Sequence, residues 1–523
     1  MSSSFYITTP LYYVNDRPHI GSAYTTLIAD MIAMYHRMKE DKVFFLTGTD
    51  EHGQKVQQAA EKNGVSPREH CDHYTARFRE LWSYFNLSYD DFIRTTEDRH
   101  VKVVQHVLQD LFDKGEIYKD VFEGWYSVAD ELFITEKDHE EGKHRDVKRI
   151  SETNYYFKMG AYQDRLIKYI NDNPNFIRPE NRKNEILGFL KQPLKDLCIS
   201  RPKERLSWGI ELPFDKDYVT YVWFDALLNY VTAPGYLQDD EKFREIWPAI
   251  HLIGKDILTT HCIYWPTMLM ATGIPLPKTV FAHGWWTSEG QKMSKSLGNF
   301  IDLETIQMHC DNVGKDAYRY YMAKEGPLFS DSDFSKERFY QTYNTDLANN
   351  FGNLVNRIFK LIKKNFDGRI PNNVEENVKV LVNDGDNKYI KEMVNPFKQD
   401  AINLEKKVFN HLEDFNINEI AKEIISYLSS INYYLEDHEP WKKVRTDIPY
   451  TEKVLCTALA SLRFSASLLY PLLPEKMTEF FSMLNNGDTP GTLMEWNGLK
   501  SGTELGEMKA LFPRFDMKLL ETM

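Results

Sequence analysis

The sequence contains little cysteine and no long apolar run. Its 523 residues include five scattered cysteines and no C-x-x-C pair. Because disulfide frameworks and cysteine zinc sites need closely spaced cysteines, neither is signalled, and this usage fits a reducing compartment. No apolar run approaches bilayer length, and no cationic segment leads into an apolar one near the first residue. We therefore expect a cytoplasmic protein without a membrane segment.

Basic residues are too few for indiscriminate binding of nucleic acids. The chain has 64 lysines and arginines against 77 acidic residues, a formal net charge of −13. Because lysine and arginine hold the phosphate backbone, this balance argues against a general DNA-binding protein and restricts any RNA contact to a local patch. Residues 351–370 form one candidate patch, since their basic side chains oppose only Asp367.

Short β-rich runs alternate with helical segments in the first two thirds of the chain. Residues 4–9 and 42–47 are β-rich, and between them apolar residues recur at helical spacing, which predicts a βαβ unit. Two later strand-like runs, 249–254 and 279–284, are separated in the same manner by an apolar segment that we expect to be helical. This alternation predicts an α/β fold with an open, doubly wound, Rossmann-like parallel sheet.

Two further regions depart from that alternation. Residues from about 114 to 217 are dense in charge and aromatic side chains, and we interpret them as an insertion between two halves of the sheet. After about residue 350 the strand-like runs end. Long segments with helical apolar periodicity then predict a C-terminal α-helical bundle.

The first chemical motif is PHIGSAY, residues 18–24, at the change from strand to helix. A helix start offers unpaired N–H groups to an anion, and parallel sheets bind ligands at the carboxyl ends of their strands. Gly21 would let a nucleotide approach, and His19 could donate to a phosphate oxygen. By itself the motif is more often an ordinary turn. Neither G-x-G-x-x-G nor G-x-x-x-x-G-K-[ST] is present, so dinucleotide and P-loop sites are not indicated.

The second motif is KMSKS, residues 292–296, after a late strand. Its two lysines could neutralise a leaving pyrophosphate from a moving loop, although alone the motif could equally be a solvated turn. The joint occurrence of PHIG and KMSKS on one chain resembles the class I aminoacyl-tRNA synthetases.

Five longer stretches narrow the resemblance to the methionyl-tRNA synthetases, and the similarity covers almost the whole chain. The stretches are ITTPLYYVNDRPHIGSAYTT (7–26), FFLTGTDEHGQKV (44–56), YDDFIRTTE (89–97), YVWFDALLNYV (221–231) and HLIGKDILTTHCIYWPTML (251–269). The resemblance implies a catalytic Rossmann-like domain over residues 1–115 and 218–290, a connective insertion over 116–217, a KMSKS loop and stem-contact region over 291–350, and an α-helical anticodon-binding domain over 351–523.

The resemblance also implies a methionine pocket, in which Asp50 holds the substrate ammonium. The matching residues are Leu11, Tyr13, Asp50, Trp223, Ala226, Tyr230, Ile257 and His261. Aromatic and aliphatic walls suit a polarizable thioether, and a buried ammonium needs a carboxylate. Taken singly, Trp223 and Tyr230 could be core aromatics and His261 a satisfied buried histidine.

The implied reaction joins methionine to ATP, which gives methionyl-adenylate and pyrophosphate, and then transfers methionine to the 3′ end of tRNA(Met). Magnesium would arrive with ATP as part of the substrate. The implied catalytic residues are His19, Gly21, Ser22, Lys292 and Lys295. The implied ATP-binding residues are His19, Gly21, Gly254, Asp256, Lys292, Met293, Ser294 and Lys295. Asp256 would face the ribose, and its alternative is a plain surface or capping aspartate.

Two features depart from the family pattern. The first signature normally ends in a second histidine, where this chain has Ser22, which is shorter and never cationic. Many relatives carry cysteine pairs for a structural zinc in the insertion, but here Ser127 and Asp130 stand at the C-x-x-C spacing. We therefore expect a connective domain without zinc.

Residues 353–364 present a basic helix face. Asn353, Arg357, Lys360 and Lys364 follow one another at spacings of four, three and four, so they share one side of a helix. A solvated lysine face is the alternative interpretation. The resemblance implies that Asn353 and Arg357 read the anticodon and that Trp441 stacks on a base. Since no further domain follows the bundle, we expect a monomer.

Two alternatives of different kinds remain from the sequence. A sister class I synthetase would need an editing domain or metal ligands in its pocket, and neither is evident. A non-catalytic RNA-binding relative would carry HIGS as a decayed motif, although intact His19 and KMSKS oppose this. Turnover of ATP discriminates between the enzyme and the binding protein.

Overall fold

The computed structural model describes residues 3–15, 17–127, 132–134, 136–143, 145–293, 299–371, 377–384 and 387–522. The chain forms two compact units. The first comprises Met1–Pro18 and Lys42–Trp285, and the second comprises His19–Asp41 and Trp286–Met523.

The first unit contains fourteen of the described strands and the second contains five. In the first unit they are β1 (Ser4–Thr8), β2 (Tyr12–Tyr13), β3 (Lys42–Asp50), β4 (Asp91–Arg94), β5 (Ile117–Ser127), β6 (Leu132–Ile134), β7 (Val147–Phe157), β8 (Ile177–Arg178), β9 (Leu197–Cys198), β10 (Ser200–Pro202), β11 (Glu211–Leu212), β12 (Asp215–Thr220), β13 (Ile250–Gly254) and β14 (Thr279–His283). In the second unit they are β15 (Trp286–Ser288), β16 (Gln291–Lys292), β17 (Ser332–Phe334), β18 (Asn377–Asp384) and β19 (Asn387–Val394).

The helices divide between the same two units. The second unit holds α1 (Ile20–Met38), and the first holds α2 (Gln54–Asn63), α3 (Pro67–Tyr84), α4 (Asp98–Asp113), α5 (Glu136–Glu140), α6 (Gln163–Asp172), α7 (Glu180–Phe189), α8 (Val222–Leu227), α9 (Asn229–Thr232), α10 (Asp240–Ile246) and α11 (Trp265–Thr272). The second unit continues with α12 (Leu303–Val313), α13 (Lys315–Glu325), α14 (Lys336–Thr342), α15 (Asn353–Asn365), α16 (Pro396–Glu413), α17 (Ile417–His438), α18 (Pro440–Lys443), α19 (Ile448–Leu469) and α20 (Pro474–Leu484).

A seven-stranded parallel sheet forms the centre of the first unit. Its order is β2-β3-β1-β13-β14-β8, with β4 also paired to β3, and every pairing is parallel. The chain first places β3 and β4 on one side of β1 and later places β13 and β14 on its other side. The strand order therefore reverses between β1 and β13. This confirms the predicted parallel sheet and creates a topological switch point, where such sheets bind ligands.

The predicted insertion is rich in antiparallel strands. One sheet has the order β6-β5-β7-β9 and another the order β10-β12-β11. The same segment also contributes β8 to the central sheet, where Ile177 pairs with Val280. The insertion is thus joined to the central sheet by a strand as well as by chain continuity.

The second unit is mainly helical and is built on apolar helix faces. In α17, the buried residues recur every three or four positions, which is the pattern of a helix with one face in the core. They are Ile417, Ile420, Ala421, Ile424, Tyr427, Leu428, Ile431 and Leu435. Among the described residues, no helix is both long and apolar enough to cross a lipid bilayer.

The expectation that strands end at about residue 350 is wrong at one place. β18 and β19 form an antiparallel hairpin in which Asp384 pairs with Asn387. In the sequence VKVLVNDGDNKYIKEMV, the two β-prone runs are separated by a Gly-Asp pair, which is a hairpin signal. That turn chemistry outweighs the helical character of the surrounding region.

Candidate active site

Six of the eight residues predicted to bind methionine line one cavity in the first unit. They are Leu11, Asp50, Trp223, Ala226, Tyr230 and His261, and Pro10, Leu227 and Asn229 complete the lining. Leu11 follows β1, Asp50 ends β3, and His261 follows β13. The cavity therefore lies at the carboxyl ends of the strands that flank the switch point.

Tyr13 and Ile257 do not line this cavity. Tyr13 belongs to β2 and pairs with Asp50, so it adjoins the cavity along the backbone. The carbonyl of Ile257 accepts a hydrogen bond from Nδ1 of His261 at 3.0 Å. Both residues thus hold cavity residues in place.

The hydrogen bonds of His261 define its tautomer. Its Nδ1 donates to a carbonyl, so Nε2 is left to accept, and the Tyr230 hydroxyl donates to it at 2.8 Å. Burial lowers the pKa of His261 to about 4, although the bond to Ile257 opposes the shift. The imidazole is therefore neutral at physiological pH, and the cavity wall carries a polar but uncharged pair.

A short π-helical segment places His261 in the wall. Thr260–Tyr264 has π-helical hydrogen bonding and leads directly into α11. Single π-turns of this kind often occur at functional sites, because the extra residue shifts the direction of neighbouring side chains.

A second buried network, made of hydrogen bonds and ring contacts, supports Tyr230. The Tyr6 hydroxyl donates to the Tyr230 carbonyl at 2.9 Å, and the His251 ring lies 4.2 Å from the Tyr230 ring. Trp265 donates from Nε1 to Nε2 of His251 at 3.1 Å, so Nδ1 of His251 carries the proton that Thr8 accepts at 2.8 Å. The ring of Tyr230 is thus fixed by contacts on its face, its hydroxyl and its backbone.

Gly254 and Asp256 follow the end of β13. A side-chain carbon at Gly254 would lie 2.5 Å from Oδ1 of Asp256, so only glycine leaves the carboxylate in this position. Trp285 donates from Nε1 to the same oxygen at 3.3 Å, and Nζ of Lys255 lies 4.2 Å from the Trp285 ring centroid. Asp256 is therefore held by a defined set of neighbours at the carboxyl edge of the sheet.

In the second unit, the HIGS motif begins α1 with a capping box. His19 is the N-cap residue, and Ser22 is the third helical residue. The His19 N–H donates to Oγ of Ser22 at 2.9 Å, and the Ser22 hydroxyl donates to the His19 carbonyl at 2.8 Å. Ser22 is buried, so its hydroxyl serves the backbone of His19.

Gly21 is required by the ring of His19. The Gly21 N–H donates to Nδ1 of His19 at 3.0 Å, which places the ring proton of neutral His19 on Nε2. A side-chain carbon at Gly21 would lie 2.8 Å from Cε1 of His19. The small residue therefore lets the imidazole fold over the first turn of the helix with Nε2 as its donor.

The segment that follows KMSKS contacts the same helix start. The Ile20 N–H donates to the Ile301 carbonyl at 2.9 Å, His19 forms a β-bridge with Asp302, and the His19 and Phe300 rings lie 5.3 Å apart. Residues 300–302, which follow the second signature, are thus joined to the first signature within the second unit.

The first residues of the loop belong to a small sheet. β15 and β16 form a hairpin whose two turn residues, Glu289 and Gly290, both have positive φ, as tight hairpins require. The Gly290 N–H donates to Oδ1 of Asp333 at 2.8 Å. Lys292 is described only by its backbone in β16, Met293 follows it, and Ser294 and Lys295 lie outside the described residues.

The insertion offers no thiolate ligands at the expected zinc position. The Ser127 hydroxyl donates to the Arg145 carbonyl at 3.0 Å, and Asp130 lies outside the described residues. Within the described ranges, no three histidine, cysteine or acidic side chains form a group that could hold a metal ion. The described residues therefore present no group that fits a structural zinc.

The predicted anticodon residues lie on the helical unit. Asn353 and Arg357 are one turn apart on the exposed side of α15, and Leu354, Ile358 and Ile362 are buried on the other side. The Arg357 guanidinium lies 5.0 Å from the Trp441 ring centroid, and Trp441 is 38% exposed. Arg357 and Trp441 therefore form one partly exposed surface.

Sequence reasoning did not select Arg201, which is buried. It donates to the Ser200 carbonyl at 2.7 Å and lies 4.6 Å from the Tyr221 ring centroid. A single arginine in a charge-dense segment is usually exposed. No spacing or motif therefore marked Arg201 before the structure was known.

Two family descriptions match the chain. Residues 5–144 and 140–359 match "tRNA synthetases class I (M)", and residues 392–516 match "Anticodon binding domain of methionyl tRNA ligase".

Curated relatives and solved structures agree with these matches. The methionine–tRNA ligase of Clostridium acetobutylicum is 43% identical over an alignment of 523 positions, which covers 98% of this chain and 78% of that protein. The Thermotoga maritima ligase is 41% identical over 98% of this chain and 81% of that protein. The structure of Mycobacterium tuberculosis methionyl-tRNA synthetase with methionyl-adenylate matches with a TM-score of 0.89 at 35% identity, over 98% of this chain and 100% of that one.

Proposed function

This chain belongs to the methionyl-tRNA synthetase family of class I aminoacyl-tRNA synthetases, and from that premise we propose which of its residues bind methionine, ATP and tRNA. Its activity is that of a methionine–tRNA ligase. The enzyme activates methionine with ATP to methionyl-adenylate and pyrophosphate, and it transfers methionine to the 3′ end of tRNA(Met).

The methionine site is the cavity at the switch point of the sheet. The single observation that supports this most directly is the meeting of Asp50, Trp223 and His261, from three separate segments, around one cavity. Asp50 would pair with the substrate ammonium, since a buried cation needs an opposite charge. Leu11, Ala226 and Tyr230 would surround the thioether, while Tyr13 and Ile257 would support these walls from outside the cavity.

The ATP phosphates meet the start of α1. His19 would donate from Nε2 to a phosphate oxygen, and Gly21 allows the imidazole to adopt that position. Lys292 and Lys295 would neutralise the leaving pyrophosphate, with Met293 and Ser294 beside them. Losing one such donor typically costs about 3 kcal/mol of transition-state stabilisation. No protein nucleophile is needed, because the substrate carboxylate attacks the α-phosphorus.

The adenosine would be bound at the end of β13, where Gly254 exposes the backbone and Asp256 faces the ribose hydroxyls. Carboxylates accept hydrogen bonds from hydroxyl groups, and the neighbours of Asp256 already hold it in one orientation. Magnesium would accompany ATP as part of the substrate. The connective insertion would fold without zinc.

The tRNA anticodon would bind the second unit. Asn353 and Arg357 would donate to base edges, and Trp441 would stack on an unpaired base. Arg357→Ala and Trp441→Ala are expected to raise the KM for tRNA in aminoacylation and to leave the KM for methionine in ATP–pyrophosphate exchange unchanged. A parallel change in both constants would contradict the assignment.

We assign the five segments predicted from the sequence to these tasks. Residues 1–115 and 218–290 would perform activation, residues 116–217 would guide the acceptor end, residues 291–350 would carry the loop and the stem contact, and residues 351–523 would bind the anticodon. The enzyme would act as a monomer in the cytoplasm. Gel filtration with light scattering tests the monomer.

The first experiment is amino-acid-dependent ATP–pyrophosphate exchange with all proteinogenic amino acids, with Ser22→His beside the natural sequence. Exchange with methionine alone is the expected result. Absence of exchange that Ser22→His restores would show a methionine enzyme limited by one phosphate contact. Absence of exchange in both proteins would contradict the activation step and would favour an RNA-binding role.

A further inference from the structure

Asp225 is a buried carboxylate without a role in the assignments above. It lies in α8, two residues after Trp223 and directly before Ala226, both of which line the methionine cavity. Its side chain is fully buried. A buried charge is expensive unless it is paired and hydrogen-bonded, so its presence here needs a reason.

Two histidines from other elements donate to this carboxylate. Nδ1 of His52 lies 2.6 Å from Oδ2 of Asp225, and Nε2 of His100 lies 2.7 Å from Oδ1. Burial raises the pKa of Asp225, but the two histidines outweigh it and hold the pKa below its usual value. The carboxylate is therefore ionised, and both imidazoles are its donors.

These bonds connect the carboxylate to three walls of the methionine cavity. His52 follows Asp50 by two residues, and α8 carries Trp223. Oγ1 of Thr232 lies 3.4 Å from Nδ1 of His100, and Thr232 ends α9, the short helix that contains Tyr230. The carboxylate thus ties the Asp50 segment directly to α8. It reaches α9 only through His100 and Thr232, whose hydroxyl also donates to the Leu228 carbonyl at 2.8 Å.

The short helices need such a connection. α8 has six residues and α9 has four. Isolated helices shorter than about 12 residues are marginal, because few hydrogen bonds offset the cost of nucleation. The orientation of Trp223 and Tyr230 must therefore come from tertiary contacts, and the bonds to Asp225 are buried and directional.

We propose that Asp225, held by His52 and His100, is a positioning residue that sets the distance between Asp50 and the aromatic walls of the methionine cavity. It does not touch substrate in this assignment. The inference rests on the proposed methionine site. It deepens that assignment, because it explains how a pocket built from loop ends and short helices keeps one shape.

The first test is Asp225→Asn in ATP–pyrophosphate exchange. Asparagine keeps the shape but offers one acceptor oxygen, so one histidine loses its acceptor. We expect the KM for methionine to rise at least about tenfold, equivalent to about 1.4 kcal/mol, while the KM for ATP changes less than about twofold. An unchanged KM for methionine, or an equal rise in both constants, overturns the inference.

A matched control separates this effect from the general loss of a buried carboxylate. Asp346 in the second unit is also buried, and it accepts from the Tyr320 hydroxyl at 2.7 Å and from Lys324. Asp346→Asn is expected to leave the KM for methionine unchanged. A rise in that constant equal to the rise in Asp225→Asn would overturn the specific role of Asp225.

If Asp225→Asn does not fold, two variants of His52 test the same inference. His52 donates through Nδ1, a position that the Nδ2 of asparagine can occupy. We expect His52→Asn to retain a KM for methionine close to the natural value and His52→Leu to raise it. Equal constants in the two variants overturn the inference. Absence of methionine-dependent exchange in the natural enzyme would instead refute the proposed methionine site.

Discussion

The capping box at the start of α1 gives a sharp prediction for Ser22→Ala. Alanine removes the hydroxyl that accepts from the His19 N–H and donates to the His19 carbonyl. It leaves the helical backbone and the bond from Gly21 to the imidazole in place. The variant therefore tests whether the backbone of His19 must be fixed for its ring to act.

The magnitude follows from the loss of one buried cap. Replacement of a capping side chain by alanine typically costs about 1 kcal/mol, within a range of about 0.5–2 kcal/mol. Ser22 is 5% exposed, so water cannot readily replace its hydroxyl. If about 1 kcal/mol is lost from the alignment of His19, kcat/KM for ATP falls about fivefold, because about 1.4 kcal/mol corresponds to a tenfold change in rate.

The assay is methionine-dependent ATP–pyrophosphate exchange at varied ATP concentration. Ser22→Thr is the matched control, because threonine keeps the hydroxyl and is expected to lose less activity than alanine. The KM for methionine should remain unchanged in both variants. Equal activity of the natural enzyme and Ser22→Ala would refute the argument that the cap positions His19.

Three further predictions follow from the same structure. Gly21→Ala places a carbon 2.8 Å from the His19 ring, and displacing that ring should reduce exchange activity about tenfold or more. Tyr230→Phe removes the donor to the buried Nε2 of His261, which should lower the free energy of unfolding by about 1–3 kcal/mol, as measured by urea unfolding. Burial raises the pKa of Asp316 to about 7 from 3.8. The folded state therefore binds more protons between these values, and its stability falls as pH rises, by at most about 1.4 kcal/mol per pH unit from this group. Asp316→Asn should remove that contribution, and urea unfolding at pH 5 and pH 8 measures the difference.

Local patterns predicted the elements whose formation depends on neighbouring residues. The βαβ start and the parallel sheet are confirmed. The amphipathic pattern of α15 is confirmed in the same way. The hairpin of β18 and β19 was missed because the long helical segments on either side dominated the periodicity. The Gly-Asp pair between two β-prone runs was the signal in the sequence that could have revealed it.

The arrangement of the site depends on contacts that are distant in sequence. Spacing along the chain cannot show that His52 donates to Asp225, because 173 residues separate them. The same holds for the tautomers of His251 and His261, which follow from the partners of each ring nitrogen. Similarity to a family indicated which residue types belong to the cavity, but the supporting network required coordinates.

Ser22 illustrates why a departure from a motif has to be examined in three dimensions. From the sequence, replacement of histidine by serine is a loss, because serine is shorter and cannot carry charge. In the structure the Ser22 hydroxyl forms hydrogen bonds with both backbone groups of His19. A longer imidazole at the third helical position would lose both contacts.

The usual capping box places serine or threonine first and glutamate or glutamine third. Here His19 takes the first position and Ser22 the third, so a search for the common pattern does not recognise it. Ser22→His therefore exchanges a helix cap for a phosphate donor, and its activity relative to Ser22→Ala measures which of the two contributes more to catalysis.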